Sequence, residues 1–234
     1  MFEVLAVTER WVLIDKHPDV SFHREDADIG LLDALRAATG LPALYPVHRL
    51  DAITSGLLLF ARHPATAAAL GRAWQAGEVG KLYLAIAPGK PSKKQGWVKG
   101  DMEKSRRGGW KLLHSRVNPA VTWFDSVSLA PGLRLYLLRP YTGRTHQLRV
   151  ALKSLGAPIL GDALYGPAQH DSDRGYLHAA LLSFALDGQR WTYTCLPSRG
   201  QWFAQPDSQT QMAALLAAGR ARLEEEMPTG STLD

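Results

Sequence analysis

Apolar residues recur along this chain in two rhythms: alternation or unbroken runs, as in strands, and returns every three or four positions, as in helices. Residues 57–61 are wholly apolar and stand between Thr54-Ser55-Gly56 and Arg62, which predicts a strand buried on both faces. Residues 4–16 alternate and predict an edge strand or hairpin that His17-Pro18-Asp19 breaks. Further strands are predicted over residues 81–87, over 120–129 and 133–138 joined through Pro131-Gly132, and over 177–186 and 189–195 joined through Asp187-Gly188. Helical spacing marks residues 29–39 before Gly40, 65–76 between Pro64 and Gly77, 145–155 before Gly156, and 209–226. The last eight residues carry no such pattern and are expected to be disordered. A strand running straight into a helix predicts an α/β or α+β unit. The chain is read as one domain over residues 1–205, with a helix and tail over 206–234.

Size and composition agree with this. At 234 residues with 46% hydrophobic and 21% charged positions, the chain suits one well-cored globular domain, and no apolar run approaches the ~20 residues that cross a bilayer. The first ten residues lack the shape of a signal peptide. The single cysteine, Cys195, excludes an internal disulfide and a multi-cysteine zinc site. A cytoplasmic, reduced location is therefore expected.

Charge changes the picture by its distribution. The net charge is +5, yet residues 90–116 alone hold nine basic side chains against Asp101 and Glu103, so the rest of the chain is near neutral. Glycines and Trp97 and Trp110 interleave that segment. It reads either as a mobile polyanion-binding loop or hairpin, with Lys93, Lys94, Lys99, Lys104, Arg106, Arg107 and Lys111 as its RNA-binding candidates, or as a solvated surface insertion.

Several chemistries fail on residue identity. A phosphate loop around Gly80-Lys81 would have Gln75 and Leu82 at required positions, and a hydrolase elbow at Ser55-Gly56 would have Ile53 in place of its first glycine. His48, His146 and His178 lack ligand spacing, so no metal is expected. What remains is His48-Arg49-Leu50-Asp51 ahead of a buried strand, a tyrosine on a strand at Tyr83, and Gly143-Arg144-Thr145-His146-Gln147-Leu148-Arg149 opening a helix. A carboxylate beside an apolar strand needs a partner, and Arg144 is the candidate, because a guanidinium can give it two parallel hydrogen bonds. So held, Asp51 would be a nucleophile or charge stabiliser. By residue type alone, the same pair also reads as a structural ion pair.

His48-Arg49-Leu50-Asp51 with Thr54-Ser55-Gly56-Leu57-Leu58 resembles the signature of the RluA family of RNA pseudouridine synthases. Lys81-Leu82-Tyr83, residues 143–150, and Gly161 to Gly166 followed by Leu177-His178-Ala179 match in the same order, so the resemblance covers most of residues 10–200. It implies an α+β pseudouridine synthase fold, a bent, mixed and mostly antiparallel sheet flanked by helices, making residues 1–205 a single catalytic domain. It also implies a uridine in structured RNA, transfer or ribosomal, as substrate. Asp51 would attack at C6 of the uracil or C1′ of the ribose, Tyr83 would stack on the base and assist proton removal, and Arg144 would pair with Asp51. His48, Arg49 and Leu148 would contact the substrate, with Arg49 entering the base stack or holding the backbone as the uridine flips out. The product is an isomer, so no cofactor is implied, and a monomer is expected.

The chain also departs from that pattern. Asp15-Lys16-His17-Pro18-Asp19-Val20 inserts His17 into an Asp-Lys-Pro-x-Gly motif and lacks its glycine, and Ala151 stands where His is frequent. With about fifty residues before Asp51, no separate N-terminal RNA-binding domain is expected. Two rival readings remain: a catalytically silent RNA-binding or RNA-chaperone protein on the same scaffold, disfavoured by Asp51, Tyr83 and Arg144 together, and an enzyme of free uridine nucleotides, disfavoured by the missing phosphate loop.

Overall fold

A computed structural model describes residues 1–21, 30–166 and 172–227. In chain order the elements are β1 (Phe2–Val7), β2 (Trp11–Lys16), α1 (Leu31–Thr39), β3 (Tyr45–Pro46), β4 (Thr54–Ala61), α2 (Pro64–Ala76), β5 (Gly80–Pro88), β6 (Gly96–Gly100), β7 (Met102–Lys104), β8 (Trp110–Leu112), β9 (Ala120–Ala130), β10 (Leu133–Pro140), α3 (Gln147–Ser154), β11 (Leu177–Leu186), β12 (Gln189–Thr194) and α4 (Pro206–Glu226). The order across the main sheet is β1-β2-β4-β11-β5-β10-β9-β6, with β3 added to β4 and β12 to β11, while β7 and β8 form a separate hairpin. Among the described pairs only β4 and β11 run parallel. The fold is thus α+β on a mixed, mostly antiparallel sheet.

β4 is the strand the rest is packed around. Leu57, Leu59 and Ala61 join a cluster with Leu70 of α2, and Leu58 and Phe60 join one with Leu31 and Leu35 of α1. Both faces are therefore dry, at roughly 1.5–3 kcal/mol for each large side chain buried. The largest cluster lies over β5, β9, β10 and β11, where Leu148, Leu152 and Leu155 around α3 meet Leu137 and Ile159, and Met212, Leu215 and Leu216 of α4 close it.

Several expected boundaries move. Thr54-Ser55-Gly56, read as loop, are the first residues of β4, because β11 pairs with them in parallel register at Leu177, His178 and Ala179. A register shift between Ala179 and Leu181 follows, and β11 then pairs with β12 along the same edge. α3 starts at Gln147, two residues later than expected, after His146 in the left-handed region (φ 57°). α4 starts at Pro206 instead of residue 209. The basic segment is an edge strand, β6, followed by the β7–β8 hairpin. α1 runs to Gly40 as expected, while Ile29 and residues 228–234 lie outside the described residues. No described helix is long and apolar enough to cross a membrane.

Candidate active site

Asp51 sits in the turn that feeds β4, where the Thr54 N–H donates to its backbone carbonyl at 3.0 Å. That turn is pinned from below. Lys16, at the end of β2, is fully buried and donates from Nζ to the carbonyls of His17 (2.9 Å), Val20 (2.9 Å) and Ala52 (3.0 Å). Burial pulls its pKa down to about 8, against the attraction of Asp19 and Asp51. Gly56 permits the close approach of β11. A Cβ there would stand 2.3 Å from the Ala179 carbonyl oxygen, and its φ of 108° belongs to glycine.

His48 fixes the other end of the turn. Its ring stacks on Trp74 of α2 (4.6 Å between centroids) and its Nε2 accepts the Leu59 N–H at 3.0 Å. An accepting Nε2 carries no proton, which agrees with burial lowering the pKa to about 3.

The partner of Asp51 is Arg149, and this corrects the expectation for Arg144. Nη1 of Arg149 lies 3.2 Å from Oδ2 of Asp51, while Nε and Nη2 donate to Oδ2 and Oδ1 of Asp162 at 2.7 and 2.8 Å. Asp162 is buried and also accepts the N–H groups of Leu164 and Tyr165. Burial opposes the charge on Arg149, but the hydrogen bonds and charge of Asp162, with Asp51 behind it, raise its pKa overall. Arg144 misses because the helix begins three residues after it. It lies in an exposed turn, its guanidinium donates to Asn118, and its N–H is taken by Gln147 at 3.0 Å. Buried Gln147 also accepts from Thr142 and donates to Val121 and Thr122, which ties the start of α3 to β9.

These groups line one cavity of about 330 Å³, the size that takes a small ligand. Asp51, Tyr83, Leu148 and Arg149 line it, together with Arg49 and Arg144. The Tyr83 phenol is pushed well above the ordinary range, first by burial and then by the charge of Asp51, so it stays protonated. Arg49 is exposed and Leu148 is buried. Among the described residues, the Asp51 carboxylate hydrogen-bonds only through Oδ2, leaving Oδ1 open.

Behind Arg149 stands Tyr165, with its ring 4.9 Å from the guanidinium carbon. Its hydroxyl accepts the Trp110 N–H of β8 at 2.8 Å and lies 2.9 Å from His146 Nδ1. The basic hairpin is thereby docked beside the cavity. Lys93, Lys94, Lys99, Lys104, Arg106 and Lys111 are exposed, Lys99 lies over Trp97, Lys111 pairs with Glu103 at 2.6 Å, and the side chain of Arg107 is outside the described residues.

Asp15, His178 and Cys195 gather within 4.8 Å, the spacing of a metal cluster. Their chemistry does not suit one. His178 engages Ser55 Oγ through Nδ1 (2.8 Å) and the Cys195 carbonyl through Nε2 (2.9 Å), and burial pushes the Cys195 thiol up to about 12.

A family model described as RNA pseudouridylate synthase matches residues 10–154, across the turn of Asp51, Tyr83 and Arg149. An uncharacterized RNA pseudouridine synthase of Haemophilus influenzae is 46% identical over 204 residues, covering 87% of this chain and 91% of that protein. The chain belongs to the RluA family of RNA pseudouridine synthases. The dual-specificity RNA pseudouridine synthase RluA of Vibrio cholerae is 36% identical over 157 residues, 65% of this chain and 64% of that one. The solved structure titled human RNA pseudouridylate synthase domain containing 1 superposes with a TM-score of 0.77 at 26% identity, covering 94% of this chain and 95% of the other. The synthase is therefore an isomerase acting on RNA.

Four residues of the site escaped the sequence reading although each lies in a matched or singled-out stretch: Lys16, Arg149, Asp162 and Tyr165. The available signal was phase. Arg149 follows Leu148 on the helix and Asp162 lies in a loop between glycines, so two opposite charges faced buried surroundings without assigned partners.

Proposed function

We propose that Asp51 is the nucleophile of the synthase and that the cavity of about 330 Å³ receives a uridine flipped out of structured RNA. The observation that carries this is the unequal use of the Arg149 fork. Its bidentate side goes to Asp162 and a single N–H goes to Asp51, which keeps Asp51 oriented and leaves Oδ1 free to attack. Attack by Oδ1 at C1′ or C6 accompanies cleavage of the N1–C1′ bond. The uracil turns, C5 bonds to C1′, the bond to Oδ1 breaks and returns Asp51 to its carboxylate, and the proton lost from C5 is matched by one taken up at N1, so atoms balance without a redox partner.

Tyr83, held neutral, stacks on the uracil, and Leu148 packs beside it. Arg149, and not Arg144, stabilises the carboxylate. Arg144 and Arg49 lie at the exposed side of the cavity, where they meet the phosphates flanking the flipped nucleotide. His48 acts by holding the turn, since its ring is stacked and its Nε2 is engaged. The exposed lysines of β6 and the β7–β8 hairpin bind RNA phosphates. The relatives' names include a dual-specificity RNA pseudouridine synthase and ribosomal large subunit enzymes, which supports ribosomal RNA as a substrate beside the proposed transfer RNA; a cytoplasmic monomer is the proposed acting form. Tritium release from RNA labelled at uridine C5, compared for transfer and ribosomal fractions and for wild type and Asp51→Asn, tests the assignment. Release only by the wild type is expected, and equal release by the variant overturns it.

A further inference from the structure

A second cavity, of about 310 Å³, lies between the β7–β8 hairpin and α3. Arg106, Lys111 and Lys153 supply cations to its walls, and Trp110, Leu164 and Tyr165 supply ring and apolar surface. The Lys153 ammonium stands 5.3 Å from the Tyr165 ring centroid. Arg106 and Lys153 are exposed, and among the described residues no carboxylate lines the cavity. Glu103, which pairs with Lys111, is itself solvent-exposed, so a competing phosphate displaces that ion pair at little cost. A half-buried indole with cations on the rim is the chemistry that takes a base and its phosphate.

The two cavities share a wall. Tyr165 lines the second one, and its hydroxyl contacts His146, which lines the first. The same hydroxyl holds Trp110 of the hairpin, and the same ring covers Arg149. RNA whose uridine occupies the first cavity must lead its neighbouring nucleotides away across this wall or across the opposite rim. The wall side carries Arg106, Lys111 and Lys153 beside the Trp110 indole.

We propose that the cavity between the hairpin and α3 is a second nucleotide subsite, which takes a nucleotide of the substrate RNA near the target uridine. Its base lies against Trp110 and Leu164, and its phosphate lies between Arg106 and Lys153. The identity of the ligand as part of the same RNA rests on the uridine reading of the first cavity, whereas the binding chemistry stands on this cavity alone. An acidic peptide would use the cations but leave the indole without a stacking partner.

The test titrates the isotopically labelled protein with adenosine 5′-monophosphate, and separately with inorganic phosphate, following the Trp110 indole N–H assigned through Trp110→Phe. A saturable shift with the nucleotide, a weaker response to phosphate, and at least about fivefold weaker nucleotide binding by Lys153→Glu are expected. An unmoved Trp110, an equal response to phosphate, or wild-type binding by Lys153→Glu overturns the subsite. With RNA substrate, Lys153→Glu is expected to raise KM about fivefold at unchanged kcat; an unchanged KM removes RNA from this cavity. If the wild type releases no tritium from any RNA, the uridine reading falls, while the nucleotide titration still decides the subsite.

Discussion

Arg149→Met removes the guanidinium that joins Asp51 to Asp162, and its two consequences can be separated. On the Asp162 side, a carboxylate with no exposed side-chain surface loses hydrogen bonds of 2.7 and 2.8 Å and keeps only two backbone N–H groups. Stranding a buried charge in this way costs about 3–5 kcal/mol. In a chain of this length that lowers Tm by about 10 °C. On the Asp51 side a single charge-assisted bond is lost, worth about 1.5–3 kcal/mol, which corresponds to about ten- to hundredfold in the single-turnover rate. Adding Asp162→Asn to Arg149→Met removes the stranded charge, so Tm recovers while the rate does not. Arg144→Ala leaves Tm unchanged and acts on KM, because Arg144 touches neither carboxylate. Thermal unfolding and single-turnover tritium release, measured below the variant's Tm, provide both readouts. A wild-type rate in Arg149→Met, a rate that returns with stability in the double variant, or a larger rate loss in Arg144→Ala would refute the reasoning.

Three further outcomes follow from other parts of the molecule. His48 and His178 titrate near 3 when folded against the usual 6.5, so the unfolded chain binds more protons between those values, and their stability contribution is whole above pH 6.5 and lost as pH falls. At pH 5 the loss is about 2 kcal/mol for His178 and less for the partly exposed His48; urea midpoints at pH 7.5 and 5.0 should show it, and His178→Gln should flatten it. Gly56→Ala places a methyl 2.3 Å from the Ala179 carbonyl oxygen in a left-handed conformation, so a Tm drop of about 10 °C or more, on the order of 4 kcal/mol, is expected and an unchanged Tm contradicts the packing. Replacing Lys93, Lys94, Lys99, Lys104 and Arg106 by glutamine should make the log affinity for RNA fall less steeply with log salt, by about 0.7 for each phosphate no longer neutralised; an identical slope excludes these side chains of the basic segment from RNA.

The sequence made the site's location legible better than its wiring. β4 was readable because Leu57 to Ala61 must be dry on both faces, and the helix ends were readable at Gly40 and Gly77, which take positive φ. Asp51 and Tyr83 could be placed because one precedes that strand and the other lies on β5, which is separated from it only by β11. Arg149 could not be preferred over Arg144, since the choice depends on where α3 starts, and that start is set by Gln147 bonding to Thr122 and Val121, residues about twenty-five positions away. Asp162 and Lys16 were hidden for the same reason. Ala52 stands 36 positions from Lys16 and Arg149 stands 13 from Asp162, and a buried charge declares itself only once its surroundings are known. The basic segment showed its charge and left loop and hairpin both open, and the hairpin's docking rests on the distant Tyr165 hydroxyl and on Leu112 packed against the core.

The central claim is that Asp51 attacks the uridine, and Asp51→Asn tests it most directly, because the amide keeps the shape and an oxygen for Arg149 while removing the charge. Tritium release from RNA labelled at uridine C5 should vanish in this variant while RNA is bound with wild-type affinity. Release at the wild-type rate by Asp51→Asn would contradict the account.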